Sequence, residues 1–417
     1  MTVLTEGRII RVVRAAEAML SQRAGSSVVL EDPEDLGGRG RTTVVRVRVA
    51  QNPFSQARTL VIKALPVDEE PHAFHREIAA YKYATTLPTQ SRPGPQIIAS
   101  DAQARVLVLS DLGHGRSMSG LLTGRDVTEA VHAVSAWGQA LGRMHAATFG
   151  GESDFRALLR RGANSAQDVN VLRDQAVRAF SLFDGALRAL DVPVPPRVTG
   201  MLANACDLFT EGEHRAFSTS DVGPENILIN GEGVQFMDYE WGGFRDAILD
   251  VAYSQVTCGS VLSAPSQRAS DPAVRERLEE ALVDAWRAEV ALIWPALSNR
   301  RVLARRLLAA RLLWVWLSTV WMLPLDGLQP TVADIVEAGI GGTVDLAGAG
   351  TDDLAVVGAS LSGANGHLHD LALYTSDPRV LVTRWADLAT AAGRAGDDVL
   401  SATAVRIGAA LTRDWLT

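Results

Sequence analysis

Thr219-Ser220-Asp221-Val222-Gly223-Pro224-Glu225-Asn226 runs directly into Ile227-Leu228-Ile229, then Asn230-Gly231, then Val234-Gln235-Phe236-Met237 and Asp238-Tyr239-Glu240-Trp241. Two short apolar runs about an Asn-Gly pair predict a β-hairpin, because that dipeptide accepts the positive φ angles of a tight turn. Asp221 and Asn226, five residues apart on one loop, can face a single site, and the hairpin returns Asp238 to the same rim. Generic loops also hold Asp and Asn, so the flanking sequence has to supply the rest.

On its N-terminal side the chain is rich in strand formers. Residues 26–30, 42–50 and 59–65 are dense in Val, Ile and Thr, with Val44, Arg46 and Arg48 alternating against Val45, Val47 and Val49. Between the first two, Leu36-Gly37-Gly38-Arg39-Gly40-Arg41 forms a turn. A helix is predicted over 71–87 and a short apolar strand over 106–109. Leu60-Val61-Ile62-Lys63 closes the third strand, and Glu77 falls on the helix after it. A lysine there is a compact charge able to reach phosphates, with a helix glutamate to fix it. The bland alternative is a solvated strand end and a surface carboxylate. Composition weighs against it: of 40 basic residues only Lys63 and Lys82 are lysines. Lys82, late on the helix, reads as merely solvated.

Beyond the middle of the chain helices dominate. Asp126 and Glu129 predict a capping box, and Val127, Val131, Val134, Leu141 and Met144 recur at helical spacing. Asp271-Pro272 opens another helix, with Val274, Leu278, Leu282 and Ala285 along one face. The apolar run 312–325 is too short to cross a bilayer, is approached through Arg305, Arg306 and Arg311, and stops at Pro324, so it predicts a buried helix. Residues 326–370, rich in Gly and Ala, predict an irregular connection before final helices over 379–394 and 399–415. The expected class is therefore α+β, with a small mixed β-sheet lobe over 1–112 and a large, mostly helical lobe over 113–417.

At 417 residues, 47% apolar and 21% charged, the chain has the balance of a soluble globular protein with room for two lobes. A formal charge of -8 lacks the basic footprint of nucleic-acid binding and is compatible with a cationic substrate. Residues 2–22 read as an amphipathic helix carrying Arg8, Arg11 and Arg14 rather than a secretory signal, and no membrane span is expected. Cys206 and Cys258 have no metal-ligand spacing and suit a reducing, cytoplasmic setting. His367-Leu368-His369-Asp370 reads as surface, and Trp314, Trp316 and Trp321 as core.

Phosphoryl transfer needs a carboxylate to take or orient the proton of the attacking hydroxyl, and oxygen ligands for a phosphate-bridging Mg2+. The order Lys63, Glu77, Leu107-Val108-Leu109-Ser110-Asp111-Leu112-Gly113, Leu141-Gly142-Arg143-Met144-His145, Asp221, Asn226, Asp238 and Ile248-Leu249-Asp250-Val251-Ala252 resembles the aminoglycoside phosphotransferase and choline kinase branch of the protein-kinase-like superfamily. The resemblance covers about residues 25–260. It implies a protein-kinase-like bilobal fold and transfer of the γ-phosphoryl group of ATP or GTP to a hydroxylated small molecule. Asp221 would be the catalytic base or hydroxyl-orienting group, Asn226 and Asp238 the Mg2+ ligands, and Lys63, paired with Glu77, the contact to the α- and β-phosphates. The backbone of Ser110 to Leu112 would receive the base, the loop 37–40 would cover the phosphates without spelling a Gly-rich signature, and Asp250 would brace the catalytic loop from below.

An aminoglycoside-like, aminated-sugar or other natural-product acceptor is the leading expectation, with Trp241 lining its pocket and Glu240 either meeting a positive charge or serving a helix start or salt bridge. A plain sugar or choline-like alcohol is the alternative, and a nucleotide-binding pseudokinase the rival from another class. One departure stands out. The family's histidine two residues before the catalytic Asp is Thr219 here, where a hydroxyl is expected to take over the bracing.

Overall fold

A computed structural model of the chain describes residues 3–38, 42–51, 58–66, 71–162, 170–262, 271–322 and 371–415. Helix α1 (Val3–Ala24) leads into β1 (Val29–Gly37), β2 (Thr43–Gln51) and β3 (Thr59–Ala64), followed by α2 (Pro71–Thr85), β4 (Ile97–Asp101) and β5 (Val106–Ser110). The five strands form one antiparallel sheet in the order β1-β2-β3-β5-β4. Strand parity decides which side chain meets which helix. Val45, Val47, Leu60, Ile62, Val106 and Val108 pack with Ile9, Val13, Ala16 and Leu20, the apolar stripe of α1. Leu107 and Leu109, of opposite parity, join Phe74, Ile78 and Tyr81 of α2 in the other cluster. Lys63 shares that second parity, and so meets Glu77 of α2.

The first strand differs from its sequence expectation. It begins at Val29 instead of Ser26 and runs through acidic residues and Pro33 to Gly37, taking in Leu36 and Gly37 of the expected turn. It is an edge strand, irregular in register after Glu31 and again after Asp35, with Asp32 at φ 51°. Ion pairs from Arg46 to Glu34 and from Arg48 to Glu31 and Asp32 bind it to β2 in place of apolar alternation. The phosphate-covering loop expected over 37–40 is described only as far as Gly38. The expected connection 326–370, with His367, His369 and Asp370, lies outside the described residues, as does Pro324.

The remaining elements are β6 (Arg116–Ser117), α3 (Met118–Leu122), α4 (Val127–Thr148), α5 (Glu152–Gly162), α6 (Val171–Ser181), α7 (Phe183–Ala189), α8 (Pro196–Asp207), β7 (Arg215–Ser218), β8 (Ile227–Asn230), β9 (Gly233–Phe236), β10 (Gly243–Asp246), α9 (Ala247–Leu262), α10 (Pro272–Val290), α11 (Arg300–Val320), α12 (Pro378–Arg394) and α13 (Asp398–Trp415). The chain thus has the expected α+β, bilobal make-up, a sheet-based part followed by a mostly helical one. Two small sheets, β10-β7 and β6-β8-β9, interrupt the helices and frame the central loop.

Asp126 caps α4 by accepting from the amides of Thr128 and Glu129, but Glu129 turns to Arg116 rather than back to the cap, so the box is only half formed. Gly138 and Gly142 let α4 lie directly on α10: a Cβ on Gly138 would stand 2.2 Å from the Leu282 carbonyl oxygen. Helix α11 is buried as expected, with the Trp314 indole donating to the Leu249 carbonyl and that of Trp316 to the Ala179 carbonyl. Trp321 is half-buried. Among the described residues no helix is long and apolar enough to cross a membrane.

Candidate active site

Lys63 is the meeting point of the two parts of the chain. Its Nζ donates to Glu77 Oε1 at 2.7 Å and to Asp238 Oδ1 at 2.7 Å, so strand β3, helix α2 and the segment after the β8–β9 hairpin converge on one ammonium. Burial alone would depress its pKa, but Asp238 and then Glu77 outweigh burial and hold it well above the ordinary value. Glu77 is fully buried, its pKa raised by desolvation against the pull of Lys63, and its Oε2 has no hydrogen-bond partner. The bland alternative of a solvated lysine and a surface glutamate is excluded by this burial.

The central hairpin forms where expected, Ile227–Asn230 against Gly233–Phe236, with its two-residue turn at Gly231-Glu232, one position later than Asn230-Gly231 suggested. Asn230 Oδ1 accepts the Glu232 amide instead, and Gly233 takes the positive φ. Asn226 lies at the hairpin's entrance. Its amide nitrogen donates to the Asp221 carbonyl at 3.3 Å and its own carbonyl accepts from Met237, which fastens the 221–226 loop to the strand leading to Asp238. Ser220 (φ 82°) and Asp238 (φ 59°) occupy left-handed backbone without being glycine, a strained conformation that persists only where the surroundings impose it.

Arg245, on β10, imposes it at Ser220. Its guanidinium donates to the Ser220 hydroxyl (2.9 Å) and carbonyl (2.8 Å) and to Asp250 Oδ1 (2.5 Å). Asp250 Oδ2 lies 3.0 Å from His145 Nε2, and the Trp286 indole donates to His145 Nδ1, which leaves the ring proton on Nε2 facing the carboxylate. Burial would raise Asp250, yet Arg245 and His145 hold its pKa below the usual carboxylate value. Asp250 therefore braces the loop, as expected, but through Arg245. The bracing expected of Thr219 is not there: Thr219 is fully buried and its hydroxyl has no partner.

Asp221 itself is buried, and desolvation raises its pKa to about 6 in spite of hydrogen bonds from Tyr253 and the Ala372 amide. Oδ1 accepts from the Tyr253 hydroxyl at 2.6 Å and Oδ2 from the Ala372 amide at 3.0 Å. Ser110 and Leu112 lie where the sheet gives way to the helical part. The Ser110 amide donates to the Gln96 carbonyl and the Leu112 carbonyl accepts from Asn230 Nδ2. Trp241 is half-buried with its indole N–H on Glu240 Oε1 at 2.8 Å. Desolvation, then the neighbouring Asp238, raises the Glu240 pKa well above its ordinary value.

Glu77, Asp238 and Glu240 thus gather about the single ammonium of Lys63, and a further cation there would relieve the crowding with Asp238 that helps raise the Glu240 pKa. Among the described residues no group of three or more His, Cys, Asp and Glu is arranged to hold a metal alone. Mg2+ requires no such cage, since it takes one or two carboxylates and completes its shell with phosphates and water. The Asp238 carboxylate and the Asn226 amide oxygen are hard donors of that kind.

No protein-family model and no curated protein matches the chain. Solved structures do. A choline/ethanolamine kinase family protein from Mesorhizobium loti matches at 17% identity and a TM-score of 0.40, over 90% of this chain and 99% of that one. Choline kinase from Cryptosporidium parvum matches at 10% identity and a TM-score of 0.42, over 80% and 92%. The GDP complex of an aminoglycoside 2'-phosphotransferase-IIIa mutant matches at 13% identity and a TM-score of 0.39, over 85% and 99%. These are weak likenesses of shape. The chemistry has to be read from the site's own residues.

Sequence analysis missed Arg245 and Tyr253. Tyr253 follows Asp250 by three positions on α9, which places both on the helix face under the loop, so the spacing held a signal. Arg245 had none, because its partners Ser220 and Asp250 meet it only once β10 pairs with β7.

Proposed function

We propose that the chain is a small-molecule kinase that moves the γ-phosphoryl group of ATP or GTP to a hydroxyl. The observation that carries this is Lys63, bonded at once to Glu77 and Asp238, with Asp221 and Asn226 on the loop whose hairpin leads to Asp238. Residues 1–112 serve as the nucleotide lobe and 113–417 as the catalytic and acceptor lobe. Lys63, held by Glu77, contacts the α- and β-phosphates, and the backbone of Ser110 and Leu112 borders the base. Asp238 and Asn226 hold Mg2+, which when bound neutralises charge on the transferred group. Asp221 orients the acceptor hydroxyl and takes its proton as the new O–P bond forms and the γ-phosphorus separates from the departing diphosphate.

An aminated sugar or other amine-bearing natural product is the acceptor class proposed, its positive charge suited to the overall negative charge of the chain. Two free, buried cysteines suit a cytoplasmic setting. Asp238→Ala tests the assignment: Asp238 is partly exposed, so the fold is expected to survive while Mg2+-dependent turnover is lost. A variant with wild-type turnover in a coupled nucleotide assay contradicts it. A second reading, a nucleotide-binding protein without turnover, is favoured by one observation, that both Asp221 oxygens are already bonded within the chain.

A further inference from the structure

The Ala372 amide donates to Asp221 Oδ2, one of the two oxygens that an attacking hydroxyl would have to reach. It belongs to a turn, residues 371–374, closed by the Tyr374 amide on the Leu371 carbonyl at 2.9 Å. The turn is seated firmly. Leu371 and Leu373 are buried, and the Leu373 amide donates to the Tyr253 hydroxyl oxygen at 3.1 Å while that hydroxyl donates to Asp221. Gly223, two residues past Asp221, makes room for it: a Cβ there would stand 2.4 Å from Ala372 Cβ. Asp221 is left 4% exposed. A general base has to lie within hydrogen-bond reach of the proton it takes, and here that reach is used by the chain's own backbone.

What holds the turn is Arg384 on α12. Its Nη1 donates to the Leu373 carbonyl at 2.6 Å and its Nε to Ser260 Oγ at 2.9 Å. Both partners are neutral, and burial pulls the guanidinium pKa down to about 10. If the turn left, this buried guanidinium would lose its carbonyl partner, so Arg384 favours the seated turn.

We propose that the 371–374 turn is an autoinhibitory cap on Asp221, latched by Arg384, which leaves the carboxylate before any acceptor hydroxyl reaches it. The inference rests on the kinase reading.

The full chain tests it, with Mg-ATP as probe and water as the attacking hydroxyl. Water attacks the γ-phosphorus, its proton passes to Asp221, the bond to the β-phosphate oxygen breaks, and ADP and phosphate leave. Leu373→Ser and Arg384→Met loosen the cap. Three quantities are read: ATP affinity by titration, phosphate release, and carbodiimide labelling of Asp221 by peptide mass spectrometry. The cap predicts slow labelling of wild-type Asp221, and labelling and hydrolysis both raised about fivefold or more in the variants with ATP affinity held within about twofold. Wild-type Asp221 labelling as fast as an exposed carboxylate overturns the cap without recourse to any variant. So does unchanged hydrolysis in folded variants that bind ATP, in which case the kinase reading stands. Absence of ATP binding in every protein, wild type included, removes the kinase reading and the cap together.

Discussion

Lys63 shows why residue identity matters more here than charge. Its ammonium is small enough to sit 2.7 Å from two carboxylates in a space that is almost closed to solvent. A guanidinium is planar and larger and cannot reproduce that fit. Lys63→Arg is expected to fold and to lose activity by a factor on the order of 10² or more, as read from steady-state phosphate transfer. An arginine variant at full rate would return Lys63 to the status of a strand-end charge. Asp221 carries its own signature. With its pKa near 6, it is charged and able to accept a proton above that pH and protonated below it. The rate for acceptor phosphorylation is therefore expected to fall on the acid side with an apparent pKa near 6, and a profile flat from pH 5 to 8 would contradict the assignment. Lys63 was legible because arginine is used almost everywhere else, and Asp221 because Asn226 and the hairpin leading to Asp238 follow it closely in sequence. Arg245 and Ala372 were not, because nothing local marks a residue whose function is to touch a loop formed elsewhere in the chain.

Among elements, the hairpin and the buried helices follow from their patterns, and the edge strand does not. Val, Ile and Asn-Gly at β8 and β9 suffice because each strand pairs with its immediate neighbour. Strand β1 is held by cross-strand ion pairs, so its acidic sequence looks like a loop. The α4–α10 pair gives a quantitative check. Gly138→Ala gains helix propensity but puts a methyl 2.2 Å from the Leu282 carbonyl, and forcing the helices apart costs more. Net destabilisation of about 1–3 kcal/mol is expected in urea unfolding; a stabilised variant would mean the helices are not in direct contact. The brace under the loop is a second case. Asp250→Asn leaves Arg245 buried with one ionic partner fewer, and a loss of about 3–5 kcal/mol is expected. Because the Asp250 pKa is lowered in the folded chain, its contribution is full above the unfolded carboxylate value and is lost as pH falls through the folded one.

At the scale of the molecule, Lys63 of the sheet-based part bonds Asp238 of the helical part beside the stacked Tyr81 and Tyr239 rings, and the helical part covers its own central carboxylate with a turn from its C-terminal region. The order of motifs along the chain made the α+β class legible, since each motif lies in one element. The cap was beyond reach: residues 221 and 372 are joined only through tertiary packing. Under the proposed function, Asp221 serves transfer to an acceptor hydroxyl and contributes little to holding the nucleotide. That role is tested most directly by titrating nucleotide and detecting phosphorylated product by mass spectrometry across a panel of hydroxylated amines and sugars, for wild type and Asp221→Asn. Product from wild type is expected, with a fall in kcat on the order of 10² or more in the variant and nucleotide affinity nearly unchanged. Turnover that survives the substitution, or nucleotide binding that disappears with it, would remove Asp221 from that role.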